Sequence, residues 1–218
     1  MRNLIILAAG QAIQLDGYNK LLINDPVSNK NILENYLDVF QGFNAKVVLG
    51  YRAINVIHKY PNESYVFNKD WAITNSSYSL GLAIENINET HYIVSGDLIF
   101  DKELLLGLED DRPNLVATRQ NENRHEQSLN VVTDEFSQVK EIYKGRFKDV
   151  SHPEAVGIIK VSCPQILRTL KQNCLKNKNL FVGENLPLTA KSKFYSFGID
   201  EFRFHEINTV NDYLNLIG

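Results

Sequence analysis

Asn3-Leu-Ile-Ile-Leu-Ala-Ala-Gly10-Gln-Ala-Ile-Gln14-Leu-Asp-Gly-Tyr-Asn-Lys20-Leu-Leu22 joins an apolar run of strand length, Leu4 to Leu7, to a turn of small residues, Ala8, Ala9 and Gly10, with Lys20 ten residues past the glycine. A buried strand opening into an uncluttered loop presents backbone N–H groups with no side chain in the way, so an anion can approach closely. Donors arranged like this form a nest for phosphate oxygens, and a nearby lysine adds a full positive charge. The same pattern also suits an ordinary first strand and tight turn. The residues downstream of the loop decide between the two.

Beyond the loop, strand and helix alternate. Ile32, Leu33, Tyr36, Leu37 and Phe40 fall at helical spacing and predict a helix over 31–40. Strands are expected over 46–50 and 65–67, with a helix over 53–60 between them. A helix over 77–87 buries Leu80, Ala83, Ile84 and Ile87, and a strand over 92–97 ends on Asp97. Repeated βα units of this length mean a mostly parallel sheet covered on both faces. After residue 113 strands dominate, at 115–118, 128–132, 139–143 and 156–161. They are followed by a helix over 164–175, strands at 194–197 and 204–207, and a last helix over 210–217. No Pro- or Ser-rich linker, repeat or low-complexity segment interrupts the chain. The expected organisation is one domain over 1–218, with a nucleotide-binding half (1–112) and an acceptor-binding half (113–218).

Composition narrows the class. The 218 residues are 44% hydrophobic, enough for one α/β unit with a buried core. A net charge of −3 argues against a nucleic-acid partner, which needs a concentrated basic face. The densest basic cluster, Lys140, Lys144, Arg146 and Lys148, reads as a solvated strand and turn. Cys163 and Cys174 have neither metal-site nor disulfide spacing and read as free thiols in a reducing compartment. The first apolar run is too short for a membrane span or a signal-peptide core. The expectation is a cytoplasmic protein, monomeric or homodimeric, with no membrane partner.

Ligands of open parallel sheets bind beyond the carboxyl ends of the strands. The loop after Leu7, the Gly50-Tyr51 pair and Asp97 all stand at such ends. Asp97 follows Gly96 at the end of an apolar strand, so its carboxylate is expected in the crevice. Beside phosphate oxygens it is a suitable Mg²⁺ ligand, because Mg²⁺ keeps several waters and takes one or two protein carboxylates. Asp101 is the better candidate to cap the helix near 102–108.

Leu7-Ala-Ala-Gly10 with Lys20, Val66-Phe-Asn68, Asn75-Ser-Ser-Tyr78-Ser79-Leu80 and Tyr92-Ile-Val-Ser-Gly-Asp97 together resemble nucleotidyltransferases of the phosphocholine cytidylyltransferase type. The spacing from Gly10 to Lys20 is similar to the molybdenum-cofactor cytidylyltransferase branch. The likeness covers roughly residues 3 to 100; beyond that, mainly the order of elements is similar. It implies an α/β, three-layer, Rossmann-like nucleotide-diphospho-sugar transferase fold with a mixed, mostly parallel central sheet. It implies Lys20 and Asp97 as the catalytic pair, with Asp97 on Mg²⁺. Leu7, Ala8, Ala9, Gly10, Gln11, Ala12 and Gln14 would lie along the triphosphate, and Gly50, Tyr51, Asn75 and Ser79 near the nucleobase. The implied reaction transfers CMP from CTP to a small phosphorylated or phosphonylated alcohol or amine, phosphocholine- or aminoethylphosphonate-like, with release of pyrophosphate.

Two departures from that pattern bear on charge. Ala12 and Gln14 stand where a second glycine and an arginine are usual, and Gln14 supplies no charge. Charge-assisted contacts are roughly twice as strong as neutral ones. Late in the chain Asn208 takes the place of a second metal-binding aspartate, with Glu206 two residues upstream on the same face of an expected strand. Two other readings therefore stay open. One is transfer from another NTP, or to a sugar-phosphate or pterin acceptor. The other is a nucleotide-binding regulatory module without turnover.

For the acceptor, Trp71, Tyr78, Tyr143, Phe181 and Tyr195 offer aromatic faces for a quaternary ammonium group, although aromatics at these spacings also suit a core. Tyr78 and Glu184 are the acceptor-binding candidates, Glu184 as a partner for a cationic acceptor. Glu184 equally suits a surface helix start. His125, His152 and His205 read as isolated.

Overall fold

The computed structural model describes residues 2–217. In chain order the first half comprises β1 (Arg2–Ala8), α1 (Ile32–Val39), β2 (Asn44–Leu49), α2 (Ala53–Lys59), β3 (Tyr65–Phe67), α3 (Ser76–Ala83) and β4 (Thr90–Ser95). The second half comprises β5 (Leu98–Phe100), α4 (Lys102–Leu108), β6 (Asn114–Arg119), β7 (Leu129–Thr133), β8 (Val139–Lys144), β9 (Glu154–Val161), α5 (Pro164–Lys176), β10 (Tyr195–Gly198), β11 (Phe204–Glu206) and α6 (Val210–Ile217).

The main sheet runs β10-β6-β9-β4-β1-β2-β3, with the β7–β8 hairpin paired to β9. Around β1 all pairs are parallel: Leu4 lies opposite Ala45 of β2 and Tyr92 of β4. β9 runs antiparallel to β4 and to β6, and β10 is again parallel to β6. The sheet is therefore mixed and mostly parallel, as expected, with the parallel pairs gathered around β1.

Strand alternation divides the core into two layers. Leu4 and Ile6 face one hydrophobic cluster with Ile32, Leu33 and Tyr36 of α1 and Leu104 of α4. Ile5 faces the other with Leu80 of α3 and Leu167 and Leu170 of α5. All are buried, each contributing roughly 1.5–3 kcal/mol of apolar transfer. Helices thus cover both faces of the sheet in three layers. Asn31 starts α1 through a capping box: its side-chain oxygen accepts the Glu34 N–H at 3.1 Å, and Glu34 Oε2 accepts the Asn31 N–H at 2.9 Å.

Several boundaries differ from the sequence-based expectations. β4 ends at Ser95 rather than at Asp97. Gly96 and Asp97 form a turn into β5, which pairs antiparallel with β11 in a small separate sheet. α3 stops at Ala83 instead of continuing to residue 87, because Ile84 is extended and Asn86 takes a left-handed backbone (φ 47°) that turns the chain into β4. The loop after β1 is not a bare turn. It holds two short 3₁₀ turns, Ile13–Leu15 and Lys20–Leu22, linked by left-handed Asp16 and Gly17. Asp101 stands at the N-cap position just before α4, yet its carboxylate is turned to Arg203 at 2.9 Å and makes no capping hydrogen bond. Among the described residues no helix is long and apolar enough to cross a membrane.

Candidate functional site

Strand order reverses at β1, where β2 lies on one side and β4 on the other, and a cleft of about 980 Å³ opens at the carboxyl ends of these strands. This is the switch point at which open α/β sheets hold ligands. Leu7, Ala8, Gly10, Gln11, Ala12, Gln14 and Lys20 line it, all of them expected there from the sequence. Among the described residues the N–H groups of Gly10, Gln11 and Ala12 donate to no acceptor, and the space beside the Gly10 Cα is open. Three successive free donors with a lysine at the rim suit an anion.

Asp97 reaches the cleft through the turn between β4 and β5. Gly96 is needed there: a Cβ would stand 2.7 Å from the Ala8 Cβ and 2.9 Å from the Leu7 carbonyl oxygen. The buried Tyr36 hydroxyl pins the same turn, accepting the Leu98 N–H at 3.0 Å and lying 2.7 Å from the Ser95 carbonyl. Lys20 Nζ donates to Asp97 Oδ2 at 3.0 Å and to Asn208 Oδ1 at 2.7 Å. Asn208 Nδ2 in turn donates to Glu206 Oε1 at 2.8 Å. Four residues that the sequence spreads from position 20 to 208 are thus in one hydrogen-bonded chain. β11 ends at Glu206, so Asn208 joins that residue across the end of the strand rather than along its face. Ile207 lies between them, its N–H donating to the Asp97 carbonyl at 2.8 Å.

Asp97 and Glu206 gather negative charge at this end of the cleft, with Lys20 and Arg119 beside them. Asp97 Oδ1 is shut off from solvent and accepts no hydrogen bond among the described residues. A buried acceptor with no partner calls for an explanation, and a bound ion is a common one. Burial and the Asp97 carboxylate push the Glu206 carboxyl above its ordinary range, against the pull of Asn208 and Arg119. Among the described residues no three His, Cys, Asp or Glu side chains gather around one point. Two carboxylates and an amide oxygen still match Mg²⁺, which completes its shell with water.

Beside the cleft a smaller cavity of about 130 Å³ is lined by Ala9, Gly10, Asn68, Trp71, Asn75 and Ser79, among others. Asn68 is its anchor: its amide nitrogen donates to Ser79 Oγ and to Thr74 Oγ1, each at 3.0 Å. Asn75 accepts the Ser76 N–H at the start of α3, leaving Ser79 one turn further along the wall. Gly50 and Tyr51 support this cavity without lining it. A Cβ on Gly50 would stand 2.6 Å from both the Ala9 oxygen and the Trp71 Cβ, and Tyr51 packs edge-on against Trp71.

The two acceptor candidates fare differently from the loop residues. Tyr78 and Glu184 line neither cavity. Lys178 lies over the Tyr78 ring, and Glu184 folds back to accept the Phe181 N–H at 2.8 Å. His125 and His205, expected to be isolated, do line the cleft, whereas His152 is paired with the Tyr143 hydroxyl. The far wall holds residues that the sequence did not single out. Arg119 contacts Glu154 at 3.3 Å and Glu206 at 3.6 Å, and Asn121 donates to Glu154 at 2.7 Å. The polar run Asn121-Glu-Asn-Arg-His-Glu-Gln-Ser128 was the available signal.

The chain has a three-layer, Rossmann-like α/β fold with a mixed, mostly parallel sheet and a cleft at its switch point. Solved structures share it over nearly the whole chain. CTP:phosphocholine cytidylyltransferase from Streptococcus pneumoniae is 20% identical with a TM-score of 0.74, covering 99% of this chain and 97% of that one. The inositol-1-phosphate CTP transferase from T. maritima is 18% identical with a TM-score of 0.76, covering 100% and 95%. HddC from Yersinia pseudotuberculosis, complexed with GMP-PN, is 16% identical with a TM-score of 0.66, covering 99% and 98%. At these identities the likeness establishes the fold. No family model and no curated protein matches the sequence.

Proposed function

We propose that the chain is a Mg²⁺-dependent nucleotidyltransferase, with CTP the favoured donor and a small phosphorylated or phosphonylated molecule the acceptor. One observation carries the reading. The free N–H groups of residues 10–12, the Lys20 ammonium and the Asp97 carboxylate it holds come together at one cleft beside a small cavity. The size of that cavity and its Trp71 wall favour a single-ring base.

In this reading the loop N–H groups and Lys20 hold the triphosphate. The acceptor oxygen is ionised at neutral pH and attacks the α-phosphorus in line, expelling pyrophosphate, so no general base is required. The obstacle is repulsion between two anions, and the protein answers it by positioning and by fixed positive charge. Asp97 would hold Mg²⁺ with Glu206 or Asn208, and the ion would supply charge neutralisation at the phosphates. Tyr36 fixes the turn that carries Asp97, and Arg119 holds Glu154 and Glu206 in place.

The test measures pyrophosphate release with each of the four NTPs, Mg²⁺ and a panel of phosphorylated acceptors. Release with CTP above the other nucleotides supports the full reading. Release with a purine nucleotide keeps the transferase and changes the donor. The neutral side chains of Gln14 and Asn208 also favour a second reading, a nucleotide-binding module without turnover. Tight NTP binding with no pyrophosphate from any acceptor would select it.

A further inference from the structure

Residues 121–127 lie between β6 and β7, belong to neither strand and form the far wall of the cleft. Asn121, Asn123, His125 and Gln127 line the cleft, whereas Arg124 turns the other way and is buried in the body of the protein. Within the segment the backbone N–H groups make local bonds. Asn121 Oδ1 accepts the Asn123 N–H at 2.9 Å, and Ser128 Oγ accepts the His125 N–H at 3.1 Å. No strand ladder decides which way this wall faces.

Two side chains fasten it to the sheet. Asn121 Nδ2 donates to Glu154 Oε2 at 2.7 Å, and Arg124 Nη1 donates to Oδ1 of the fully buried Asn130. Glu154 of β9 and Asn130 of β7 lie opposite each other, so both ties land on one rung. Arg124 Nε also donates to the Asn121 carbonyl at 2.7 Å, which joins the two ties. The guanidinium stands 4.9 Å from the centre of the Phe147 ring, and Asn130 Nδ2 donates to the Gly145 carbonyl at 2.7 Å. The connection between β8 and β9 is thereby drawn into the same cluster.

These partners of Arg124 are a carbonyl, an amide and a ring face, all neutral. A guanidinium buried on neutral partners is costly, and a side chain that only filled this space would be better apolar. What arginine adds is a rigid fork that holds two acceptors in fixed geometry.

Resting on the transferase reading, we infer that Arg124 is a positioning residue for the acceptor. It never reaches the cleft; it sets the wall against which the acceptor lies. In that reading the loop of residues 10–12 and the small cavity take the nucleotide, which leaves the far wall to the acceptor. The small cavity draws no residue from that wall, so the nucleotide side stands independent of Arg124.

The experiment first measures pyrophosphate release with each NTP and phosphocholine, aminoethylphosphonate, inositol 1-phosphate or glucose 1-phosphate. With the best pair, Arg124→Met and Arg124→Lys are compared with the parent well below the unfolding midpoint of each. Arg124→Met leaves the Asn121 carbonyl and Asn130 Oδ1 without their donor, so its midpoint falls in any case. A purely structural role would leave the ratio of the two KM values alone. A positioning role should raise KM for the acceptor about tenfold or more and keep KM for the nucleotide within about twofold. Arg124→Lys, which can reach one of the two acceptors at a time, should fall between; it decides by the same split if Arg124→Met does not fold. Both KM values rising together, or neither rising, overturns the inference and leaves the transferase standing. No pyrophosphate from the parent with any NTP and any acceptor removes the transferase reading, and the inference with it.

Discussion

Lys20 Nζ donates to Asp97 Oδ2 at 3.0 Å, and both side chains are about four-fifths buried. The pair is separated by 77 residues in sequence and joined by the switch point of the sheet. It places the loop's one full positive charge against the carboxylate best suited to a cation. Each charge is matched by the other, and a metal with its phosphates would offer each a new partner of the right sign. The Lys20→Ala variant should lose on the order of a hundredfold or more in turnover, as removal of one preorganised charge-stabilising group often does. Its urea midpoint should also fall, because Asp97 loses its ion-pair partner, so turnover is compared at temperatures well below unfolding. Turnover within a few-fold of the parent would remove the triphosphate from this loop.

Asn208 and Glu206 can be separated by a Mg²⁺ titration of activity. If the Asn208 amide stands at the second metal position, Asn208→Asp should raise the apparent Mg²⁺ affinity, since a carboxylate is the better hard-cation ligand. If Glu206 already serves there, Glu206→Gln should abolish most activity. Asn208→Asp should then be neutral or mildly harmful, because crowding Asp97 with a third carboxylate raises the proton affinity of the group. Asp97→Asn should remove metal-dependent activity in either case and leave nucleotide binding through the loop. Unchanged metal affinity in all three variants would place the cation elsewhere.

The first half of the fold was legible because its signals are local. Leu4 to Leu7 is an unbroken apolar run because β1 is covered on both faces, and the small residues Ala8 and Gly10 after it line the cleft. The end of α3 was not legible. Ile84 and Ile87 keep helical spacing, yet Ile84 is already extended and Asn86 left-handed, so the helix has stopped before them. β5 escaped for another reason: it has three residues and exists through its pairing with β11, Phe100 lying opposite Phe204. The far wall of the cleft is built from residues 121–128, which have no periodicity to reveal which side chains turn inward. Glu184 shows the converse, a loop acid that suggested a ligand and satisfies its own backbone instead.

Asp25 ties the segment after the loop to the end of the chain. Its carboxylate is buried, and Arg203 reaches it with both terminal nitrogens. Burial alone would raise the proton affinity of this carboxyl; the hydrogen bonds from Arg203, the Val27 N–H and Ser28 outweigh it and hold the group below its ordinary value. A carboxyl with a lowered folded value stabilises the fold above the unfolded value of about 3.9, and that contribution is lost as pH falls through the folded value. Asp25→Asn should cost about 3 kcal/mol at neutral pH, at the low end for a broken buried pair because Arg203 keeps Asp101. Urea midpoints measured from pH 7 down to pH 3 should fall less steeply in the variant than in the parent. Equal slopes would show that the pair contributes nothing to acid sensitivity.

Tyr36 offers a test of positioning rather than of contact. Its hydroxyl accepts the Leu98 N–H and faces the carbonyl groups of Ser95 and Leu98, and its ring stacks on Phe100. The turn carrying Asp97 is therefore held from beneath by a residue of α1 that never reaches the cleft. Tyr36→Phe keeps the ring and removes the hydroxyl, leaving a buried N–H and carbonyl unpaired at a cost of about 1–3 kcal/mol. A purely structural role would lower the unfolding midpoint and leave the folded enzyme's kinetics intact. A positioning role should in addition raise the Mg²⁺ concentration needed for half-maximal activity, at temperatures well below unfolding, while KM for the acceptor stays unchanged. Loss of stability without a shift in the Mg²⁺ requirement would confine Tyr36 to the core.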